Sequence, residues 1–402
     1  MRKTVTIIGA GPAGMTAALF AARNNFHVRL IDSNPIVGRK LLVTGSGRAN
    51  LTNQQMDASR FTCSDPAWMR ALLRKFGYTE LIEFLDSIGV LTFATPDGWC
   101  YPVSESAQTV VDTFWNALNL ANMELLLNTK VTAINKEHGK DFNFTLASGE
   151  ITSCDHLILA AGGKAYPTLG SRGELFDSLE QLGHTVLPLT PALAPVTCDM
   201  RPFKKLFGVR LDAKAKLFES RKLLAETKGN LIFTQWGLNG PAVMDLSHYV
   251  SARPGKELEL RLDLLHMHTQ KLFGLFENQR RTPTAVRILL GSVLPPKVAP
   301  VVLAMVGLSP DVTLNNLHET QIEKLFDLLA NLPFKVTGVR GFEFCQVSAG
   351  GVPVSEVDPL TMHSQRVPGL SLAGETLDVI GPCGGFNLQF AFSSGAIAGM
   401  SI

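Results

Sequence analysis

The apolar positions open with a short β-branched run, Thr4 to Ile8, followed by Gly9-Ala10-Gly11-Pro12-Ala13-Gly14 and an alanine-rich stretch, Met15 to Arg23. That order predicts strand, tight turn and helix. A second apolar run, His27 to Ile31, ends in Asp32 and predicts the return strand. Pro66 to Gly89 sets Leu72, Leu73, Phe76, Leu81, Ile82, Phe84 and Leu85 at helical spacing, which reads as core. Thr109 to Leu120 predicts another helix, after Tyr101-Pro102-Val103-Ser104. Leu125 to Ile134 and Phe142 to Leu146 alternate as strands, with Ala147 to Glu150 as a hairpin turn. His156 to Leu159 is a wholly apolar strand running into Ala160-Ala161-Gly162-Gly163.

The pattern changes near Pro188, with Pro191 and Pro195 close behind. From there to about Phe334 the chain reads as an insertion. Strands are expected around Val196, Ala213 to Phe218 and Leu231 to Thr234, and a more helical, proline-punctuated piece from Leu262 to Leu317. Near its end the chain repeats the strand, glycine turn and helix of its beginning. Gln346 to Val352 is strand into turn, Val367 to Leu372 is a strand ending in Ala373-Gly374-Glu375, and Gly381-Pro382-Cys383-Gly384-Gly385-Phe386-Asn387 opens a last helix, Leu388 to Gly399.

Composition narrows the class. With 402 residues, 46% of them apolar, the chain has material for two or three domains. Its 37 Lys and Arg against 35 Asp and Glu leave a formal charge of +2, which makes no electrostatic case for nucleic acid or an anionic membrane. Six scattered cysteines without C-x-x-C spacing suggest neither a zinc cage nor a disulfide framework, and fit reduced thiols in a cytoplasmic protein. The H-x-H at His266 and His268 lacks an evident third ligand, so no metal is expected. The charged start followed by an apolar run resembles a signal peptide, but the run is short and leads into the glycine turn. Thr284 to Leu308 is broken by charges and prolines, so no membrane span is expected.

The opening turn carries the chemistry. Gly-x-Gly-x-x-Gly between a strand and a helix, with an acid ending the next strand, is the dinucleotide fingerprint in its required context. Gly9 permits the turn, Gly11 lets a pyrophosphate approach the backbone, and Gly14 lets the helix lie close to the strand. The helix N-terminus, with Pro12 and Ala13, favours the anion. Asp32 is expected to take both ribose hydroxyls and to repel a 2′-phosphate, which selects FAD or NAD over NADP. A second glycine-rich turn, Thr44-Gly45-Ser46-Gly47-Arg48-Ala49-Asn50-Leu51-Thr52-Asn53, offers backbone N–H groups and polar side chains to a ligand lying across it.

The two ends together resemble the two-part FAD site of glutathione-reductase-type flavoproteins. More closely, Gly38-Arg39-Lys40-Leu41-Leu42, Gly47-Arg48-x-Asn50-Leu51-Thr52-Asn53, Ala161-Gly162-Gly163-x-x-Tyr166-Pro167, Phe233-Thr234-x-x-Gly237-x-x-Gly240-Pro241, Val336-Thr337-Gly338-x-Arg340-Gly341-Phe342, Ala373-Gly374-Glu375-x-Leu377-Asp378 and Gly384-Gly385-x-Asn387-Leu388-Gln389 resemble a group of bacterial FAD proteins that includes aminoacetone oxidases and BaiN-like bile-acid reductases. The resemblance implies an α/β fold: a two-part Rossmann-like FAD domain at 1–190 and 338–402, a β-rich insertion at 191–261 returning at 318–337, and a helical insertion at 262–317. It implies phosphate or ribityl contacts from Arg39, Lys40, Arg48 and Asn53, with Gly47 and Asn50 beside them. Ala161, Gly162 and Gly163 would pass the cofactor, and Gly374 with Glu375, in place of the usual Asp, would support its ribityl side. The helix opened by Gly384, Gly385, Phe386 and Asn387 would face the pyrimidine end of the flavin. The chain departs from the group at Ala49, Gln235, Asn239, Trp99 and Ile380, where Cys, His, Ser, Arg and Asp are usual, so no one relative fixes the substrate.

The reading is an FAD-dependent oxidoreductase passing hydride from NADH or NADPH to an unsaturated small molecule. The lack of a second fingerprint makes the nicotinamide a transient visitor. An oxidase of a small amine is the alternative, and a flavin-dependent RNA-modifying protein is the second alternative, which the near-neutral charge disfavours. For a catalytic acid or base the weak candidates are Tyr166, Tyr101 and Cys383, with Cys100 nearby in sequence.

Overall fold

The computed structural model describes residues 2–24, 26–137 and 141–402, which divide into two compact units, 1–190 with 346–402, and 191–345. The first unit is built on a five-stranded parallel sheet in the order Leu370–Leu372, His156–Leu159, Thr4–Ile8, His27–Ile31 and Glu124–Leu126. Strand Thr4–Ile8 pairs Val5 with His156 on one side and Thr4 with His27 on the other. The central position explains its unbroken apolar character, because a parallel sheet covered on both faces has no solvent side. A chain segment from beyond residue 369 completes one edge of this sheet.

The opening helix, Pro12–Ala21, starts on proline at its first turn and is buried from Ala13 onward. It packs along the last helix, Phe386–Met400, which is also buried nearly all round. Small residues set this crossing: a Cβ on Gly395 would lie 2.1 Å from Ala13 O, and one on Gly399 2.3 Å from Ala17 O. Helices Pro66–Lys75, Tyr78–Ile88 and Ala107–Leu120 surround the pair, and two small antiparallel sheets flank the main one.

The second unit is a closed six-stranded antiparallel barrel, Val196–Cys198, Gly237–Asn239, Lys222–Phe233, Arg210–Glu219, Leu258–Asp263 and Leu332–Val339, closing where the last strand pairs with the first. Leu211, Ala213, Ala215 and Leu217 alternate inward along one strand, the period expected of a filled barrel. Helices Thr269–Asn278, Val286–Gly291, Val298–Met305 and Glu319–Ala330 lie between its last two strands in sequence. The expected boundaries need two corrections. The segment 318–337, expected as β return, begins with helix Glu319–Ala330, whose Ile322, Leu325 and Leu329 are buried at helical spacing. The return to the first unit comes at Gln346 rather than 338, because the barrel strand runs to Val339 and Arg340 packs against Trp236 and Phe344. Among the described residues no helix is long and apolar enough to cross a membrane.

Candidate functional site

The three fingerprint glycines hold different positions for different reasons. Gly9 has φ +104°, and a Cβ there would lie 2.3 Å from Ala160 O. A Cβ on Gly14 would lie 1.7 Å from Gly9 O, so the helix can close on the turn only without one. A Cβ on Gly11 meets nothing within 4 Å, so this glycine borders open space. Gly11 is the N-cap of the opening helix, with no side-chain cap and no acid in the first turn. The first N–H groups of that helix therefore keep their donors for an outside acceptor, and a diphosphate fits that donor set.

Asp32 is engaged first by the protein itself. Its Oδ2 accepts from Ala10 N at 2.6 Å, and its Oδ1 accepts from Asn34 N and Nδ2 at 2.7 and 2.9 Å. A carboxylate oxygen takes about two donors, so Oδ1 is filled and Oδ2 has room for one more. Asp32 thus braces the turn, and Oδ2 keeps room for one further donor. Arg39 donates to Asn34 Oδ1 at 2.8 Å, extending the same chain.

Lys40 and Glu375, both expected at the cofactor, meet each other at 2.7 Å across 335 positions of sequence. Glu375 Oε1 also accepts from Ser348 N and Oγ at 2.7 and 3.0 Å. The Ala161-Gly162-Gly163 segment passes these groups: a Cβ on Gly163 would lie 2.1 Å from Ser348 Oγ and 2.9 Å from Glu375 Oε1. The need for glycine at 163 is set by protein atoms. Gly374, at φ +66°, donates its N–H to Ser394 Oγ at 2.9 Å and lies against Ala13.

The second glycine turn is a run of left-handed residues, Gly45, Ser46, Gly47 and Ala49. A Cβ on Gly47 would meet Leu42 O at 4.0 Å, an ordinary contact. Arg48 lies over the Tyr101 ring at 4.5 Å, donates to its hydroxyl at 3.4 Å and approaches Glu105 at 3.8 Å. Asn50 is buried, and its amide, oriented with nitrogen toward the neighbouring acceptors, donates to Cys100 O and Thr52 O. Asn53 also belongs to the protein's own framework: its Nδ2 donates to Gly384 O at 2.9 Å. Around that bond, a Cβ on Gly384 would meet Trp99 Nε1 at 2.9 Å, and one on Gly385 would meet Thr52 O at 2.3 Å. The Thr52 hydroxyl donates to Gln389 Oε1.

The last helix begins at Phe386 on the left-handed Gly385, again with no side-chain cap and no acid in its first turn. Asn387 closes the entry loop, accepting from Gly381 N and donating to Gly381 O, both at 2.8 Å. Phe386 is buried edge-on against Phe61, with Arg60 over its ring. The unit thus presents two glycine-entered, uncapped helix N-termini, one from each end of the sequence.

The acid–base candidates separate. Tyr101 is 2% exposed, and burial holds its hydroxyl above the usual tyrosine range. Burial likewise pushes the Cys100 thiol up, and Cys100 Sγ lies 3.7 Å from Tyr78 Oη, so it is an inert thiol at neutral pH. Tyr166 is half-buried with φ +55° and accepts the Leu169 N–H on its carbonyl. Cys383 is half-buried in the loop before the last helix.

The sequence reading missed a buried polar chain. His184 Nδ1 meets Glu356 Oε2 at 2.7 Å, and His184 Nε2 meets Ser364 Oγ at 2.8 Å. Ser364 Oγ accepts from Arg366 N and Val367 N, which fills its lone pairs. Its proton therefore goes to Nε2, and neutral His184 donates Nδ1–H to Glu356. The order matches a serine–histidine–acid triad, but an oxygen so occupied is a structural pin rather than a nucleophile. Separations of 172 and 180 positions leave no spacing to find it by.

Comparison with known proteins now adds to this geometry. Residues 3–401 match the HI0933-like protein Rossmann domain family. The chain is 35% identical to the 3-dehydro-bile acid delta(4,6)-reductase of Clostridium scindens, over 98% of each chain. It is 30% identical to the ribosomal RNA dihydrouridine synthase of Escherichia coli, over 96% of this chain and 95% of that one. Its fold is similar to that of the 3-ketosteroid delta1-dehydrogenase from Sterolibacterium denitrificans, with a TM-score of 0.53 over 99% of each chain at 11% identity. Matched along its whole length and carrying the parallel sheet and dinucleotide turn described above, the chain belongs to the HI0933-like family of Rossmann-fold proteins and is an FAD-dependent oxidoreductase.

Proposed function

We propose that the protein saturates a carbon–carbon double bond conjugated to a carbonyl in a small organic substrate, drawing hydride from NADH or NADPH through FAD. One observation carries this reading. Two relatives matched over nearly the whole chain are named for different substrates, a bile acid and ribosomal RNA, yet both names denote reduction of such a bond. The shared chemistry is the part to transfer, and of the two relatives the one of higher identity acts on the small molecule.

FAD supplies the hydride chemistry when bound. The chain's own residues position it. The Gly9–Gly14 turn and opening helix would hold the diphosphate, Asp32 one ribose hydroxyl, and the Lys40–Glu375–Ser348 group would fix the wall between the two half-sites. The N-terminus of the last helix favours negative charge developing beside it. Tyr101, which burial keeps protonated against the opposing pull of the Arg48 guanidinium over its ring, is the candidate we assign as proton donor.

The test is anaerobic mixing of the flavoprotein with NADH and then NADPH while the flavin absorbance is followed, then addition of a 3-oxo-4,6-diene steroid. Bleaching by a nicotinamide and recovery on steroid addition are expected. A band that persists with both nicotinamides, and peroxide release from a small amine, would move the reading to an oxidase.

A second reading, reduction of a nucleobase in RNA, has its own support. The +2 of the whole chain conceals a division: residues 191–345 carry 20 Lys and Arg against 14 Asp and Glu, a net +6, so the first unit has −4. A basic unit is the usual footprint of phosphate-backbone binding. Salt-sensitive binding of ribosomal RNA together with flavin reoxidation by that RNA would establish it.

A further inference from the structure

Within the first unit, strand Trp99–Pro102 is the middle strand of a small antiparallel sheet, paired with Thr52–Asn53 on one side and Thr92–Ala94 on the other. Side chains alternate along it, so Trp99 and Tyr101 share a face and Cys100 points to the opposite one. Both aromatic residues meet glycine loops there. A Cβ on Gly384, at the entry of the last helix, would lie 2.9 Å from Trp99 Nε1, and one on Gly45, in the second glycine turn, 3.4 Å from Tyr101 Cε1. The Tyr101 hydroxyl accepts from Arg48 Nη2 at 3.4 Å, and Arg48 Cζ lies 4.5 Å from the ring centroid. Glu105 approaches the same guanidinium, with Oε2 3.8 Å from Nη1. The turn after the strand brings it back: Glu105 N donates to Pro102 O at 2.8 Å. Among the described residues the Tyr101 hydroxyl has no other hydrogen-bond partner than Arg48.

An arginine has donors and no acceptor, so in this contact the phenolic oxygen accepts and its own proton is left over. We propose that Arg48 is a positioning residue for Tyr101: by donating to Oη it turns the phenolic proton toward the substrate, and its charge steadies the tyrosinate that remains once the proton is given. The inference rests on the reductase reading above, in which Tyr101 is the proton donor, and adds the residue that makes it one. The saturated bond takes a hydride at one carbon, drawn as proposed from NADH or NADPH through FAD, and a proton at the other. Breaking the O–H bond leaves its electron pair on Oη beside the guanidinium, and a proton from water restores the phenol before the next turnover. The charged groups that face the hydroxyl divide by sign. Burial opposes its ionisation most strongly, Arg48 favours it, and the carboxylates of Asp97 and Glu105 oppose it. Removing Arg48 therefore makes Tyr101 a weaker acid and leaves its hydroxyl without a fixed orientation.

The test reads the pairing apart from the overall reaction. The holoenzyme would be prepared with 3-fluorotyrosine, whose hydroxyl ionises at lower pH, and each of its four tyrosines followed by fluorine NMR as pH rises, with Tyr101→Phe assigning the signal. Arg48→Met should shift the Tyr101 midpoint upward, and Arg48→Lys, which keeps a charge and donors, should bring it part of the way back. In a second measurement the flavin of unlabelled enzyme is reduced with stoichiometric dithionite, so that no nicotinamide is needed, and its reoxidation by a 3-oxo-4,6-diene steroid is timed. Arg48→Met should slow that step about 10- to 100-fold, Tyr101→Phe at least as much, and flavin content should stay native in both. A midpoint that stays put or falls in Arg48→Met overturns the inference. So does reoxidation of that variant at the native rate, or loss of its flavin, which would make Arg48 a cofactor contact. A Tyr101→Phe enzyme reoxidised as fast as wild type overturns it as well. A steroid that fails to reoxidise wild type while the midpoint still moves with Arg48 would keep the Arg48–Tyr101 pairing and defeat the proposed function.

Discussion

At the scale of single residues, Gly11 and Gly14 of the opening turn make separable predictions. Gly11→Val places its side chain in open space at an extended φ of −76° and ψ of −176°, so the apoprotein should lose no more than about 1 kcal/mol. Flavin content of that variant should nevertheless collapse, because the added methyls occupy the room a diphosphate needs. Gly14→Ala should do the reverse in order: its Cβ faces Gly9 O at 1.7 Å, so stability falls by at least the about 1–3 kcal/mol of overpacking before binding is considered. Urea melts of the two apoproteins and flavin absorbance of the two preparations check this, and equal destabilisation would sink the distinction. The His184–Glu356–Ser364 pin predicts a pH dependence. Burial would raise the Glu356 pKa, but bonds from Arg366, Thr185 and His184 outweigh it and hold it at about 2, below the ordinary 4.5. Burial also lowers the His184 pKa from 6.5, against the pull of Glu356. Both folded values lie below the unfolded ones, so the unfolded chain binds the extra protons. The stabilisation is complete above about pH 6.5, declines as His184 protonates in the unfolded chain, and is lost further as pH falls from about 4.5 towards 2. The melting-temperature gap between wild type and Glu356→Gln should therefore hold from pH 8 down to about pH 5, where the Glu356 carboxylate is ionised in both states, and narrow as pH falls below that; a gap that does not narrow in acid would remove the pin from the account.

At the scale of elements, the crossing of the opening and last helices joins the two halves of the site. Gly395 lies against Ala13, in the turn-to-helix segment itself, and Ser394 Oγ holds Gly374 N. Gly395→Val drives a side chain into Ala13 backbone and should cost about 3 kcal/mol or more. Because the last helix also carries the Gly384–Gly385 entry, flavin affinity should fall with stability; thermal melts and flavin titration would show whether the two losses travel together. A variant that loses stability yet binds flavin as the native protein does would separate the crossing from the site. What could be read in the sequence follows the same division. Strand, turn and helix at 4–21 are local in sequence, and so were legible from glycine spacing and apolar runs. Lys40 with Glu375, Asn53 with Gly384 and His184 with Glu356 are joined only by folding, and no spacing announces them. Residue type alone sent Lys40, Asn53 and Glu375 to the cofactor, whereas the protein's own atoms claim at least part of their bonding. Helix Glu319–Ala330 is marked in the sequence by Ile322, Leu325 and Leu329 at helical spacing, a local signal that the expectation of β structure through 318–337 leaves out.

At the scale of the whole molecule, each unit has a hydrophobic core of its own. One runs from Val5 and Ile7 through Leu157 to Phe392, the other from Val196 through Leu217 and Phe276 to Phe334. The first is assembled from both ends of the chain, since strand Leu370–Leu372 extends its sheet and the last helix covers the opening one. The second is contributed by one uninterrupted segment and closes its barrel within that segment. Every residue assigned to FAD lies in the first unit, so FAD binding should stabilise that unit and leave the barrel where it was. Removing the flavin and scanning the apoprotein by calorimetry is expected to give two transitions. FAD at about 100 times its dissociation constant adds about 2.7 kcal/mol to the unit that binds it. For a unit of this size that raises its melting temperature by about 5–10 °C. The other transition, that of the barrel, should not move, and should be reproduced by residues 191–345 prepared alone. A barrel transition that rises with FAD as far as the other would show that FAD stabilises residues 191–345 as well, and would overturn the assignment of the flavin contacts to the first unit alone.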